Sequence, residues 1–345
     1  MQIELCLETV TPLFLGGAEQ QAELRPASVR GALRYWLRAL LGNEAGGNLE
    51  KLSQRERMIF GSVDAASPIT VRIKGQPSLM TSFDLERDAT RRDKNGNLQP
   101  VRNGHNYLYY STKLPPNNRV PYNPAEKFSL TFQTRPIIAK PAESLHLALA
   151  SVWLLTHLGG LGTRARRCAG SISVESISSI PVGLPAFKIS AANHAALQTE
   201  IAAGLKQIRS GVTATTPSCL RYDILDPQVC RIWIINGNPS WRTWKAAVEA
   251  IGAEMKSYRA SQGVNRNSIN SIFGVPILHG SSHGLQRRSS PLWLRITKLT
   301  NGEFVCVATL FKSDFKDGTH EVGGGYQLIE DFITTNLHGQ EVIYV

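Results

Sequence analysis

The chain has 345 residues, 42% of them hydrophobic and 19% charged, a composition that predicts a sizeable folded core and excludes wholesale disorder. Its length predicts two domains. The 38 Lys and Arg residues exceed the 27 Asp and Glu residues and give a formal net charge of +11. This excess favours a polyanionic partner such as nucleic acid or an acidic membrane surface, with a merely basic soluble protein as an equal alternative.

The remaining bulk features concern compartment and cofactors. The first residues show no basic segment leading into an apolar run, and no apolar stretch approaches the ~18 residues of a membrane span. Five scattered cysteines without a CxxC pair predict neither a disulfide framework nor a zinc site: Cys6, Cys168, Cys219, Cys230 and Cys306. We therefore expect a cytoplasmic protein with no membrane attachment and no cofactor.

The first half alternates predicted strands and helices. Strands are expected where apolar and polar residues alternate, at 3–7, 69–73, 127–134 and 171–178. Helices are expected at 28–41, with Ser28 as N-cap and Gly42 just beyond the end, and at 143–158. Residues 76–125, rich in charged, Asn, Gly and Pro residues, predict a long insertion with a short strand at 105–112. This order is that of a ferredoxin-like fold.

The second half repeats this plan more faintly. Strands are predicted at 182–189, 229–235, 292–299 and 304–311, the last two around an Asn301-Gly302 turn. Helices are predicted at 195–208, 241–258 and 326–335. The fold class is therefore α+β, with two related ferredoxin-like domains that contain antiparallel sheets. The predicted domains are 1–180, with the insertion at about 76–125, and 181–345.

A glycine- and arginine-rich loop, GGLGTRARRCAG at 159–170, follows a predicted helix and precedes a predicted strand. Glycines permit close approach of a ligand, and backbone N–H groups with guanidinium forks suit phosphate oxygens. The predicted phosphate-binding residues of the loop are Gly159, Gly160, Gly162, Thr163, Arg164, Arg166 and Arg167. The alternative is a glycine-rich connection with solvated arginines. A dinucleotide site is excluded, because its glycine pattern requires a strand before and a helix after.

A second basic feature lies on the first predicted helix. Arg30, Arg34 and Arg38 are spaced four residues apart and form one stripe, and with Arg25 they occupy a segment without carboxylates. A solvated face usually mixes charges of both signs, so an unpaired stripe favours a polyanion or an acidic subunit. Basic residues at 87–94 of the insertion are interleaved with acids, so a solvated loop is an equal interpretation there.

Catalytic signals are weak. His279 and His283 have i,i+4 spacing but lie in a Gly/Ser stretch, not in a helix with an adjacent glutamate. His146 and His157 fall within an apolar helix and are expected to be packing residues. We predict no enzyme, no catalytic residue and no metal site. A metal-independent ribonuclease that uses a spatial pair of side chains stays open as the alternative.

Several segments resemble a known family. TPLFLGGA (11–18), ELRPASVRGALRYWLRALLG (23–42) and IFGS (59–62) are similar to the N-terminal half of RAMP proteins, the repeat-associated family of CRISPR effector complexes. The loop at 159–170 resembles the G-rich loop of that family, and IFGVPI (272–277) with RRSSPLWLRI (287–296) resembles its C-terminal pattern. The similarity is closest to the first subunit of the Cmr complex of type III-B systems.

The resemblance implies two ferredoxin-like, RNA-recognition-like domains. It also implies a non-catalytic, RNA-binding subunit of a ribonucleoprotein in antiviral defence. Its implied partners are CRISPR guide RNA and/or target RNA, near the 3′ end of the guide, and other Cmr subunits. One alternative is an endoribonuclease of the same superfamily that processes CRISPR RNA. Another is a basic scaffold that docks acidic subunits without contacting RNA.

Overall fold

Two four-stranded antiparallel sheets organise the chain in the computed structural model. It describes residues 1–17, 21–81, 89–92, 95–96, 98–101, 103–112, 119–135, 141–212, 221–261, 272–274, 289–314 and 325–345. In chain order the elements up to residue 177 are β1 (Gln2–Thr9), α1 (Pro26–Ala45), α2 (Leu49–Phe60), β2 (Ile69–Lys74), β3 (Ala89–Arg92), β4 (Leu98–Val101), α3 (Gly104–Tyr109), β5 (Lys127–Thr134), α4 (Pro141–Leu158) and β6 (Ile172–Ile177).

The first sheet has the strand order β2-β5-β1-β6, and every neighbouring pair is antiparallel. Helix α1 connects its first two strands and α4 its last two, which is the ferredoxin-like arrangement. Alternate residues of β1, such as Leu5 and Leu7, are buried and join α1 and α4 in one apolar core. The alternation that predicted these strands is therefore the alternation of core and outer faces.

The second sheet repeats this topology. Its elements and the preceding helix are α5 (His194–Arg209), β7 (Cys230–Trp241), α6 (Trp244–Ser261), β8 (Leu292–Lys298), β9 (Phe304–Phe311), α7 (Gln327–Asp331) and β10 (Gln340–Glu341). The strand order is β10-β7-β9-β8, again antiparallel throughout. The prediction of two ferredoxin-like folds is confirmed. The domain boundary at residue 181 stays a prediction. It falls in the segment between β6 and α5 that joins the two sheets.

Both faces of the second sheet are covered. Ile232 and Ile234 of β7 belong to the core shared with the first sheet, whereas Trp233 and Ile235 pack in a second core with α6. All four residues are buried, which explains why the segment 232–235 of β7 is continuously apolar instead of alternating. The two sheets are therefore held together by a shared apolar core.

The first helix differs from its prediction at both ends. It begins at Pro26, a residue suited to the first helical turn, and it continues through Gly42 to Ala45. Gly42 is an interior residue because the segment after α5 packs against it: a Cβ there would lie 2.9 Å from the side chain of Ile224. The glycine that predicted the helix end is instead required by close packing.

Helix α2 was not predicted, because only Leu52, Ile59 and Phe60 of its residues are buried. Its start is fixed by Asn48, whose side chain accepts hydrogen bonds from the N–H groups of Glu50 and Lys51, both at 3.0 Å. Such a cap contributes about 1 kcal/mol.

The predicted strand at 105–112 is wrong. These residues form helix α3 and a 3-10 turn at Tyr110–Thr112. The carboxylate of Glu249 on α6 accepts hydrogen bonds from the N–H groups of Gly104 and His105, both at 2.8 Å. A Cβ on Gly104 would lie 2.0 Å from the Glu249 carbonyl oxygen, so the two backbones are in direct contact. The insertion thus docks on the second sheet's helix, a long-range contact that local pattern does not reveal.

Other differences lie in the second half. The predicted strand at 182–189 is irregular, and α6 begins at Trp244 because β7 continues to Trp241. The predicted C-terminal helix is present as α7 followed by a π-helical turn at Phe332–Asn336.

Candidate nucleic-acid interface

The glycine- and arginine-rich loop at 159–170 connects α4 to β6, as its flanking patterns predicted. On one side it is bonded to the segment after β1: the N–H of Thr163 donates to Phe14 O at 2.8 Å, and that of Gly170 to Pro12 O at 2.9 Å. On the other side, the N–H of Cys168 donates to Leu294 O of β8 at 2.8 Å. The loop therefore bridges the two sheets.

Packing accounts for three glycines of the loop. Gly162 has φ +88°, and a Cβ there would lie 2.2 Å from Phe14 O. Gly170 has φ +61°, and its Cβ would lie 1.8 Å from Leu161 O. A third, Gly159, has no room for a Cβ because the Trp36 ring lies 2.5 Å away. These residues make the loop's path sterically feasible, whatever ligand it contacts.

Most of the loop's backbone donors are used internally. Seven N–H groups donate to carbonyl oxygens of this chain, those of Gly159, Leu161, Thr163, Arg167, Cys168, Ala169 and Gly170. The backbone half of the predicted phosphate cradle is therefore unavailable at these positions. At these positions a phosphate contact has to come from side chains.

Arg167 is committed to the fold. One terminal nitrogen of its guanidinium donates to Ser290 Oγ at 3.0 Å and Leu292 O at 3.2 Å, and the other to Phe273 O at 2.9 Å. Although part of the side chain is accessible, these acceptors enclose the charged group. Burial, followed by the charges of Arg164 and Arg259, lowers the pKa of Arg167 to about 9. Arg167 therefore stabilises the start of β8, and its guanidinium is not positioned to bind a ligand.

Arg166 lies at the junction of the two sheets. Its guanidinium carbon is 5.1 Å from the ring centroid of Tyr35 on α1 and 4.4 Å from that of Trp293 on β8. It also donates to Ser290 O and lies 3.9 Å from the carboxylate of Asp223. Tyr35 OH donates to that carboxylate at 2.7 Å, and burial and then the Asp223 charge raise the pKa of Tyr35. This cluster is partly open to the cavities described next.

Arg164 has a different environment. It adopts a left-handed conformation, φ +63°, which costs a non-glycine residue about 1–2 kcal/mol. Its guanidinium carbon lies 4.7 Å from the ring centroid of Tyr110, in the insertion. Among the described residues it has no hydrogen-bond acceptor or carboxylate within reach. The strained backbone therefore presents a half-buried, charge-unpaired guanidinium.

Two cavities flank the loop, and we call them together the loop groove. One, of 470 Å³, lies between the loop, α1 and the segment 14–16, and it includes Arg119. The other, of 260 Å³, is lined by Arg164, Arg166, Arg167 and the start of β8. Among the residues that the structure describes, four arginines and no carboxylate line the groove. The aromatic rings of Tyr35 and Trp293 complete a surface with the basic and aromatic character of single-strand nucleic-acid sites.

Sequence patterns missed Arg119, whose guanidinium donates to Thr163 Oγ1 across the groove, and Tyr110. Both lie in the insertion. A signal was present: no acidic residue occurs between Asp93 and Glu126, although four basic residues do. The side chains of the basic residues at 87–94 lie outside the described residues.

The arginine stripe on α1 is not unpaired, and that expectation is corrected. Glu56 of α2 binds Arg34 directly and accepts from Arg38 at 2.6 Å. Arg34 also donates to the carbonyl oxygens of Phe60 and Gly61, at 2.9 and 2.8 Å. The stripe holds α2 against α1. The sequence did not predict this pairing, because it did not predict α2.

The two other members of that basic segment are engaged differently. Arg30 donates to Phe60 O at 3.1 Å. Arg25, at the N-cap of α1, donates to Gly16 O at 3.2 Å and lies 3.5 Å from the carboxylate of Glu23. Neither arginine lines the loop groove.

Other chemistry has little support in the described part of the chain. No group of three or more His, Cys, Asp or Glu side chains there is arranged to hold a metal ion. The His279 and His283 pair falls outside the described residues. No helix that the structure describes is both long and apolar enough to cross a membrane.

Known proteins share both sequence and fold with this chain. The sequence model of the RAMP superfamily matches residues 6–173. The CRISPR system Cmr subunit Cmr1-2 of Pyrococcus furiosus is 33% identical over 184 residues, which cover 50% of this chain and 94% of that protein.

Two solved structures have the same fold. The crystal structure of Cmr1 from Pyrococcus furiosus in its apo form has a TM-score of 0.65 and 21% identity, covering 100% of this chain and 99% of that one. A chain of the type III-B Cmr-beta complex bound to cognate target RNA has a TM-score of 0.56 and 14% identity, covering 92% and 96%. With most of a Cmr1 sequence matched at 33% identity, this chain belongs to the Cmr1 family of the RAMP superfamily.

Proposed function

We propose that this chain is a non-catalytic RNA-binding subunit of a type III-B CRISPR Cmr effector complex. In this proposal the loop groove holds the sugar-phosphate backbone of guide or target RNA. Its relatives are named as Cmr subunits, and a chain of the same fold occurs in a Cmr complex bound to cognate target RNA. Base pairing between guide and target would supply sequence specificity, so the protein needs only to hold and orient a strand.

The observation that carries the proposal is the state of Arg164. Its guanidinium is held over Tyr110 at the rim of the groove without a counter-charge among the described residues. A fixed, charge-unpaired arginine suits a phosphate, whose oxygens accept its paired N–H donors. Arg119 lies along the same groove and adds a second positive charge for the backbone of the strand.

A non-catalytic role is supported by the histidine nearest the loop. His157 is buried at the end of α4, and burial followed by the Arg295 charge lowers its pKa to about 3. At neutral pH this ring is uncharged and enclosed, so it cannot protonate a leaving oxygen of RNA. A ribonuclease of the same superfamily would need another acid within the groove.

The salt dependence of RNA binding tests the proposal. Each phosphate contact on a single strand contributes about −0.7 to the slope of log K against log salt concentration. Arg164→Ala should weaken binding to all sequences and flatten the slope by about that amount. Lys206→Gln, at an exposed position of α5, removes the same charge far from the groove and serves as control. An unchanged slope in Arg164→Ala would rule out the groove as the RNA site.

A further inference from the structure

A third cavity lies beside the loop groove, and we call it the arginine pocket. It has a volume of 450 Å³ and is lined by Arg30 and Arg34 of α1, by Arg135 after β5, and by the turn that follows α2. None of its described lining residues is a carboxylate. Three positive side chains around one cavity predict an anionic ligand.

The wall of the arginine pocket is rigid. Gly61 has φ +76°, and a Cβ there would lie 2.7 Å from the backbone nitrogen of Ser67. The turn is closed by a hydrogen bond from the N–H of Ser62 to Ala65 O at 2.8 Å, and Ser67 Oγ donates to Ile59 O at 3.1 Å. A pocket with a fixed wall binds its ligand with little ordering cost.

The charges in the arginine pocket are only partly compensated. Arg34 is paired with Glu56, but Arg30 and Arg135 have no carboxylate partner in the part of the chain that the structure describes. Arg135 makes a single long contact, from Nε to Thr70 Oγ1 at 3.4 Å. Burial, and then the charges of Arg34 and Arg135, lower the pKa of Arg30. A bound anion would relieve this mutual repulsion.

The arginine pocket and the loop groove occupy neighbouring faces of α1. Ser28 and Ala32 line the groove, whereas Ala27 and Gly31 line the pocket. At 3.6 residues per turn these pairs are separated by about a quarter of the helix circumference. The surface between the two cavities consists of small residues, so a polymer can cross α1 close to its backbone.

We propose that the arginine pocket binds a backbone phosphate of the same RNA strand that lies in the loop groove. This inference rests on the proposed function, because continuity with the groove is what favours RNA over an acidic protein surface. The strand would leave the groove over the first two turns of α1, and Arg30 and Arg135 would contact the phosphate. Arg34 would keep the wall in place through its bonds to Phe60 and Gly61.

The first test uses Arg30→Gln and Arg135→Gln, with Lys206→Gln as the charge-matched control. Each pocket variant should flatten the salt slope of single-stranded RNA binding by about 0.7, and the control should leave it unchanged. Wild-type slopes in both pocket variants would overturn the arginine pocket as a phosphate site. The proposed function fails separately, on Arg164→Ala.

The second test places charges on the crossing itself. A Cβ at Gly31 would meet no atom within 4 Å, so substitutions there should not disturb folding. Gly31→Glu should weaken RNA binding, Gly31→Lys should strengthen it, and Gly31→Gln should stay close to wild type. Equal affinities across the series would overturn the proposed path. A second result would also overturn it: Arg30→Gln and Arg135→Gln bind RNA normally but no longer bind a neighbouring acidic subunit. That result would assign the arginine pocket to a protein partner.

Discussion

The guanidinium carbon of Arg166 lies 4.4 Å from the ring centroid of Trp293, and this contact joins the loop after α4 to the first residues of β8. Trp293 in turn donates its indole N–H to Tyr35 OH on α1 at 3.0 Å. A largely desolvated arginine over tryptophan contributes about 1–2 kcal/mol. The loop is thus a structural joint between the two ferredoxin-like folds as well as the rim of the proposed RNA site.

The Arg166–Trp293 contact depends on a planar guanidinium. Arg166→Lys keeps the charge but loses the planar group that stacks on the ring, so we expect it to lower the free energy of unfolding by about 1 kcal/mol. Urea denaturation measures the change. Lys188→Arg, at an exposed ion pair, is the reverse exchange and should have almost no effect. Equal stability of Arg166→Lys and wild type would show that the ring contact contributes nothing.

Arg164 and Arg167 should separate binding from folding. Arg167→Met removes the guanidinium hydrogen bonds to Ser290 Oγ, Leu292 O and Phe273 O and should destabilise the protein by about 3 kcal/mol. Arg164→Met removes the same charge but only an aromatic contact, so its stability should fall by less than about 1 kcal/mol. At a temperature where both are folded, Arg164→Met should show the larger loss of RNA affinity. The opposite ranking in affinity would contradict the roles assigned to the two residues.

Glu249 should control the docking of the insertion. Glu249→Gln replaces a carboxylate that accepts from two backbone N–H groups of α3 with a weaker neutral acceptor, at a cost of about 1–2 kcal/mol. Residues 76–125 should then be cleaved faster in limited proteolysis, and RNA affinity should fall because Arg119 and Tyr110 lose their support. Glu254→Gln, at an exposed position of the same helix, is the control. Unchanged proteolysis in Glu249→Gln would show that docking does not depend on this cap.

His157 predicts how stability changes with pH. Its ring is stacked on Trp153, with centroids 4.0 Å apart, and its pKa is lowered from 6.5 to about 3. Below about pH 6.5 the His157 ring therefore binds a proton in the unfolded chain but not in the folded chain. The contribution of His157 to the free energy of unfolding is therefore present above about pH 6.5. It is lost as the pH falls towards about 3, at about 1.4 kcal/mol per pH unit. At a pH of about 5 the loss should be about 2 kcal/mol.

The matched variant is His157→Phe, which keeps an aromatic ring on Trp153 and cannot titrate. Between pH 7 and about 5, its free energy of unfolding should fall by about 2 kcal/mol less than that of wild type. Parallel pH profiles for His157→Phe and wild type would mean that His157 is not held neutral by the fold.

The topology was predictable because strongly periodic segments formed the sheets and their main helices. The loop's place between α4 and β6 followed from the same local patterns. What its arginines contact did not follow, because the acceptors of Arg167 come from residues 273 and 290–292, far along the chain. Helix α2 was not predicted because it is mostly polar. The pairing of its Glu56 with Arg34 and Arg38 therefore could not be predicted either. Side-chain availability depends on tertiary partners, which residue type and spacing do not specify.

The decisive measurement for RNA binding in the loop groove is ultraviolet crosslinking of RNA within an assembled Cmr particle that contains this chain, with the crosslinked peptides identified by mass spectrometry. We expect crosslinks at Tyr110 and in the peptide that contains residues 159–170, and Tyr110→Leu should abolish the first. Abundant crosslinks to this chain that lie only outside the loop groove and the arginine pocket, or none at all while neighbouring subunits crosslink, would contradict this expectation.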